Sequence, residues 1–426
     1  MTDIVASSDT VSATVAETAS AGPLFNPFDP AFRANPYPFY DILRSTEPVH
    51  VSPFGFTVLT RYEDVSRTLR GSEFSRDVEA NATEPSDPIR QARLETLRER
   101  REQGTAAKTI LNLDPPDHTR LRRLVNLAFT PRAIERLRSR IQSLVDAILD
   151  TAAERGSIEL VDALAFPVPF QVISDLLDLP TERSDDIRDW SQALTAALEP
   201  TASTETLHDA ERASRLMGAY LGEVIEDRRQ HLGDDVLSAL ITVEEAGERM
   251  SAAELLSFVT LLYVAGHETT VNLIGNGTLA LLNNRDELRR WRDDPTIGSA
   301  AVDELLRFDG PVQHTVRVPT EKVRYGDVTV QSGSMVMTIL GAANHDPSVF
   351  ENPHALRLDR PNAGRHVALS AGIHYCLGAS LAKLEAEIAI GSLIKRFETI
   401  EMTATPTWRD RLTIRGVSSL SLALAL

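Results

Sequence analysis

The chain has 426 residues, 42% of them hydrophobic and 25% charged, a composition ordinary for a globular protein. Its formal net charge of −17 argues against a nucleic-acid partner, because phosphates are repelled by a surface of that sign. A single cysteine excludes an intrachain disulfide, a zinc ribbon and an iron–sulfur cluster.

Residues 1–22 are Ser, Thr, Ala and Val with two Asp and one Glu, and have neither a basic start nor a continuous apolar run. They read as a disordered tail, not a secretion signal. No Gly/Ser- or Pro-rich linker and no fixed-period repeat follows, so residues 23–426 are expected to form a single domain. A helix is expected over 35–45, then a hairpin over 49–60 turning at Pro53 and Gly55. Residues 79–108 are polar and rich in Glu and Arg, as in a long connection with a short exposed helix. Asp114-Pro115-Pro116-Asp117 opens a helix with acidic groups at its positive end, and helical spacing continues through Arg155. Further helices are expected over 169–177, 182–198, 205–230 and 234–245.

Ser251 and Glu254 form a capping box for a helix reaching about residue 284, far longer than the usual mean of about twelve. Its apolar stretch over 255–282 is broken by His267, Glu268 and several Asn, which suits a buried central helix better than a membrane span. Strands are expected within 312–337, coil over 346–365 and a last helix over 381–397. The fold class is mainly α with a minor β region, and the chain is expected to be soluble and cytoplasmic.

Cys376 is either an inert core thiol or a reactive ligand or nucleophile. Gly372 and Gly378 flank it, and the last helix begins just beyond. Free N–H groups and the helix dipole there lower a thiol pKa and donate to sulfur. Such a presentation suits a flat metal cofactor better than a core plug. The run Gly372-x-His374-x-Cys376-Leu377-Gly378, leading into a helix, resembles the haem-binding loop of the cytochrome P-450 monooxygenases. The resemblance implies a fold with the long helix over haem b (iron protoporphyrin IX), Cys376 as proximal iron ligand, Gly378 beside it and His374 on a propionate. Most members of that family have an aromatic residue and a glycine where this chain has Leu369 and Ser370. That difference bears on the redox potential of the iron and the solvation of the thiolate.

Three further segments follow the family's order. In Ala265-Gly266-His267-Glu268-Thr269-Thr270, helical geometry lets the Thr269 hydroxyl bond the Ala265 carbonyl and loosen the ladder. A zinc-protease reading fails, because Val271 stands where the second His is required. By resemblance this is the oxygen-activation groove: Ala265 lies at the haem, Thr269 holds a water network and Glu268 connects it to solvent. Glu304 and Arg307 share a helix face, and by resemblance Arg360 completes a structural triad with them. His118 and Arg122 also share a face, and with Arg317 they match the family's propionate ligands. Ala343-Asn344-His345-Asp346-Pro347, with Phe350 and Pro353, resembles the coil before the haem loop. The likeness covers roughly residues 25–426.

What the resemblance implies is insertion of one oxygen atom from O₂ into a small hydrophobic substrate of the steroid, fatty acid, terpenoid or macrolide class. Electrons would come from a ferredoxin and ferredoxin reductase, docking where Arg122, Arg123 and Lys383 meet an acidic partner. By the same resemblance, substrate selection would fall to 79–108, 198–207, Val264, Ala265 and 311–316. Two alternatives compete: a peroxygenase driven by H₂O₂, and a non-enzymatic haem carrier or gas sensor.

Overall fold

The longest helix, Ala252–Asn283, starts where its sequence says it should. The Ser251 hydroxyl accepts the Glu254 N–H at 3.2 Å and the Glu254 carboxylate accepts the Ser251 N–H at 2.8 Å, so two orphan donors of the first turn are satisfied. From His267 to Leu282 nearly every side chain is buried, as expected of a helix apolar on all faces. The computed structural model describes residues 25–83, 95, 98–99, 101–104, 106–130, 134–243 and 247–426. The tail expected over 1–22, and much of the connection expected over 79–108, lie outside them.

In chain order the elements that frame the centre are α1 (Tyr37–Thr46), β1 (Val49–Val51), β2 (Phe56–Leu59), α2 (Tyr62–Arg70), β3 (Phe74–Ser75), α3 (Asp117–Ala128), α4 (Arg138–Arg155), α5 (Pro167–Leu177), α6 (Ser184–Ala196), α7 (Thr204–Gln230), α8 (Val236–Thr242), α9 (the long helix), α10 (Arg285–Asp293) and α11 (Gly298–Asp309). They are followed by β4 (His314–Pro319), β5 (Met335–Ile339), α12 (Ala379–Arg396), β6 (Thr407–Trp408) and β7 (Val417–Ser419). Helices α5, α11 and α12 pack directly on α9. Leu273, Leu305, Leu306, Leu381 and Ile390 belong to one buried cluster joining three of these helices. Removing such a side chain from water is worth about 1.5–3 kcal/mol, and this burial fixes α9 between its neighbours.

The main sheet has strand order β1-β2-β5-β4-β3. The hairpin pairs Val49 with Leu59, β2 runs parallel to β5 with Phe56 opposite Met335, and β5 runs antiparallel to β4 with Val336 opposite Arg317. This register places β4 at the rim of the central cavity. The chain is mainly helical with a small sheet component, as its periodicity predicts.

Two boundaries differ from expectation. The helix expected to run from Asp117 to Arg155 is two helices, α3 and α4, and α3 ends at Ala128. Pro131 in the sequence just beyond has no N–H to continue the ladder. The helix expected over 234–245 spans only Val236–Thr242, because Asp235 caps it by accepting the Ser238 N–H at 2.8 Å. Among the described residues no helix is long and apolar enough to cross a membrane.

Candidate active site

Helices α3, α9 and α12, strand β4 and the segment 368–378 surround a cavity of about 290 Å³. Cys376 lines it from the loop between a single 3₁₀ turn, Gly372–His374, and the start of α12. The loop presses on α2. A Cβ on Gly372 would lie 2.6 Å from the Leu69 carbonyl oxygen, and the residue's φ of +68° is open to glycine at little cost. Ser370 adopts φ +61° without being glycine, and its buried hydroxyl has no partner. The Cys376 N–H donates to the Leu369 carbonyl at 3.0 Å. Here the local expectation fails. Burial pushes the Cys376 thiol up, and the Gly378 N–H and the Arg122 charge only partly oppose it.

Around the same cavity stand His118, Arg122, Arg317 and His374, all singled out from sequence, and Arg76, which was not. The Arg122 guanidinium donates to the Tyr375 carbonyl at 2.8 Å. Arg317 donates to the Thr315 hydroxyl at 3.2 Å and the Val316 carbonyl at 3.0 Å, and Arg76 donates to that same carbonyl at 3.3 Å. The His118 and His374 rings lie 4.3 Å apart, and His374 Nε2 is buried without a partner. Asp114, whose charge acts on Arg76, Arg317 and His374, uses its carboxylate on the Ser75 hydroxyl and the Arg76 backbone N–H.

Burial pushes Arg76 down to about 10, and burial with the Arg76 charge pushes Arg317 down to about 9. Burial and the neighbouring cations take His374 to about 3, and burial and Arg122 lower His118. Cationic groups thus crowd one another out of water, an arrangement that a ligand bearing two carboxylates would relieve. A thiol at one wall, a wide apolar space and a dianion-binding rim together fit haem.

On α9 the Thr269 hydroxyl donates to the Ala265 carbonyl at 2.7 Å, as its spacing predicts, and both residues line the cavity. Glu268 does not. Its carboxylate, 1% exposed, accepts from Arg409 at 3.2 Å and lies 3.6 Å from His267 Nε2. Burial alone would raise it, but His267, Arg409 and Arg411 outweigh burial and hold it below the usual carboxylate range. Glu385 on α12 behaves oppositely: burial pushes it up to about 8, and it lines the cavity with one oxygen unpartnered.

Leu261, Leu262, Pro311 and Val312 supply apolar wall. Val264 packs into the core and is not part of that wall, and neither is the stretch 198–207. Glu304, Arg307 and Arg360 form the expected triad, with Arg307 Nε 2.7 Å and Arg360 Nε 3.1 Å from the carboxylate. The three cations expected to meet an acidic partner are engaged elsewhere. Arg122 faces the cavity, Arg123 pairs with Glu248 at 3.1 Å and Lys383 with Asp303 at 2.7 Å.

A family model described as cytochrome P450 matches residues 68–294 and 296–417. Cytochrome P450 107B1 of Saccharopolyspora erythraea is 42% identical over 403 residues, covering 92% of this chain and 96% of that protein. The vitamin D(3) 25-hydroxylase of Pseudonocardia autotrophica is 37% identical over 405 residues, covering 93% and 96%. Among solved structures, P450BioI in complex with hexadec-9Z-enoic acid ligated acyl carrier protein superposes with a TM-score of 0.84 at 33% identity, covering 92% of this chain and 99% of that one.

Proposed function

The chain belongs to the cytochrome P450 family, and on that premise we propose that it inserts one oxygen atom from O₂ into a small hydrophobic molecule held against Leu261, Leu262, Ala265, Pro311 and Val312. It is a haem-iron oxidoreductase of the monooxygenase type, EC 1.14, and its cofactor is haem b. The observation that carries the residue assignment is the pairing of one thiol with the buried guanidiniums of Arg76 and Arg317 and two neutral histidines around an apolar cavity.

In this reading Cys376 holds the iron through its thiolate, with Gly378 at the loop's exit. A bound metal cation would stabilise the thiolate that burial disfavours, the thiol proton leaving to solvent. His118, Arg122, Arg317 and His374 hold the propionates, and Arg76 joins them. When bound, the haem supplies the activation of O₂ and its transfer to substrate. The protein's own part is placement and proton supply. The apolar wall excludes water from the substrate. The Thr269 hydroxyl, fixed to the Ala265 carbonyl, leaves its lone pairs to hold water, and the Glu268 carboxylate, one residue away behind the cavity wall, takes up protons and relays them to that water.

The family works with an external redox partner, and a ferredoxin with its reductase in the cytoplasm is part of the proposal. Ile373 and Tyr375, exposed in the cysteine loop, replace the engaged cations as the contact expected for it. The relatives' names support a lipid-like substrate: one is a vitamin D(3) 25-hydroxylase and one is in complex with an acyl carrier protein bearing hexadec-9Z-enoic acid. The test is a library of steroids, fatty acids, terpenoids and macrolides screened by the haem absorption shift on binding. Binders are then assayed for product with ferredoxin, reductase and NADPH, and separately with H₂O₂ alone. Product that depends on reductant supports the reading. Faster turnover with peroxide alone, or binding without product, overturns it.

A further inference from the structure

His267 stands one residue before the acid and faces away from the cavity. Its ring is 0% exposed and is enclosed edge-on by Phe166, with centroids at 5.6 Å, and by Phe170 at 6.2 Å. Nδ1 lies 2.6 Å from the Tyr263 carbonyl oxygen, an atom that only accepts, so Nδ1 carries a hydrogen. The other nitrogen, Nε2, lies 3.6 Å from Glu268 Oε1, and neither of these buried atoms has another partner. Two bare lone pairs facing each other in a water-poor pocket repel, and a proton between them removes the conflict. The second carboxylate oxygen, Oε2, accepts from Arg409 at 3.2 Å, which favours the ionised acid.

We propose that His267 stores a proton at Nε2 for Glu268, and that Arg409 is the positioning residue that holds the carboxylate to receive it. This rests on the oxygen chemistry proposed above, because inserting one atom of O₂ and releasing the other as water takes up two electrons and two protons. The proton moves from His267 Nε2 to Glu268 Oε1 and on to water at Thr269, and Nε2 regains one from solvent. We place the proton's entry beneath the strand pair β6–β7. Arg409, at the end of β6, is 12% exposed there, its Nε has no partner, and Asn272, one turn past Glu268, leaves both side-chain polar atoms unpaired. The charged groups facing the carboxylate are His267 on its own helix, and Arg409 with Arg411 from the segment joining β6 to β7. Arg411 is itself tied to α6 through the Thr195 hydroxyl at 2.8 Å and the Gln192 carbonyl.

The experiment is nitrogen NMR of ¹⁵N-histidine-labelled holoenzyme in its reduced, carbon monoxide-bound form, with His267 assigned by loss of its signals in His267→Gln or His267→Phe. Both ring nitrogens are expected to be protonated at neutral pH, and Glu268→Gln to remove the Nε2 proton alone. A bare Nε2 in the unmodified protein, or a ring indifferent to Glu268→Gln, overturns the proposal. A functional arm uses the holoenzyme with ferredoxin, reductase, NADPH and O₂, without added compound, and reads peroxide against water. Both His267 variants should raise that ratio, on the order of tenfold, below the range a positioned proton donor usually supplies. An unchanged ratio in both contradicts it. The carbonyl spectrum separates the two readings. No thiolate signature with a doubly protonated ring sinks the oxygen chemistry but supports the pair, whereas a thiolate signature with a bare Nε2 sinks the pair alone.

Discussion

Glu304→Gln takes one negative charge from a place where water does not replace it. Glu304 and Arg307 are at most 1% exposed and Arg360 is 5% exposed. The carboxylate accepts Arg307 Nε at 2.7 Å and Nη2 at 2.8 Å, Arg360 Nε at 3.1 Å on both oxygens, and the Arg357 backbone N–H at 3.0 Å. An amide there keeps one acceptor, turns two hydrogens toward a guanidinium and leaves two buried cations without a counter-charge. Breaking a buried pair this way costs about 3–5 kcal/mol, against roughly 0–1 kcal/mol for an exposed one. With an unfolding entropy of about 2.1 cal/mol/K per residue, a chain of this length loses about 3–6 °C in melting temperature. The same guanidiniums donate to the carbonyls of Asn344, Glu351, Pro353 and Ala355, so the coil before the cysteine loop should loosen and haem loading should fall with stability. Calorimetry of Glu304→Gln, Arg360→Met and the double variant measures this. The double variant should lose less than the two single losses together, by about 1 kcal/mol or more. Singles that add, or a Glu304→Gln shift within about 1 °C, would refute the reasoning.

Thr269→Ala should divert reducing equivalents into hydrogen peroxide while leaving ligand binding intact; tight coupling of NADPH to product in that variant contradicts the role given to the hydroxyl. Arg317→Met should weaken haem affinity by roughly tenfold or more, the worth of a hydrogen bond to a charged group, without lowering the stability of haem-free protein, since a buried cation without a counter-ion is lost. Haem titration and apo-protein melting check both halves, and a less stable apo variant counts against the cation crowding. For Glu385, burial raises the carboxyl from 4.5 to about 8, so between those values the folded protein keeps a proton that the unfolded chain has shed. Stability therefore falls as pH rises through that window, and Glu385→Gln should gain on the unmodified protein, by about 3 kcal/mol at pH 7. A gain that stays flat from pH 5 to 8 rules this out.

The parts legible in the sequence are those written in local spacing. The capping box at Ser251, the Thr269–Ala265 bond and the Glu304–Arg307 face each lie within one helical turn, and the structure contains all three. What the sequence did not disclose joins distant residues. Arg76 reaches β4 across 240 positions, Arg409 meets Glu268 across 141, and no periodicity reports either contact. The Cys376 thiol shows a local rule losing to a non-local one. The start of α12 and the Gly378 N–H favour the thiolate as expected, but burial, set by the packing of the whole cavity, outweighs them until a metal is bound. Lys383 and Arg123 read as free surface cations for the same reason, since their partners Asp303 and Glu248 are 80 and 125 positions away in the sequence.

The central claim is that the Cys376 thiolate binds haem iron. It is tested most directly by adding carbon monoxide to the reduced, haem-loaded protein and recording the Soret band. The account requires the strongly red-shifted band of a thiolate-ligated carbonyl complex, abolished in Cys376→Ala. A band at the position given by a neutral or imidazole ligand, or one unchanged by Cys376→Ala, would contradict it.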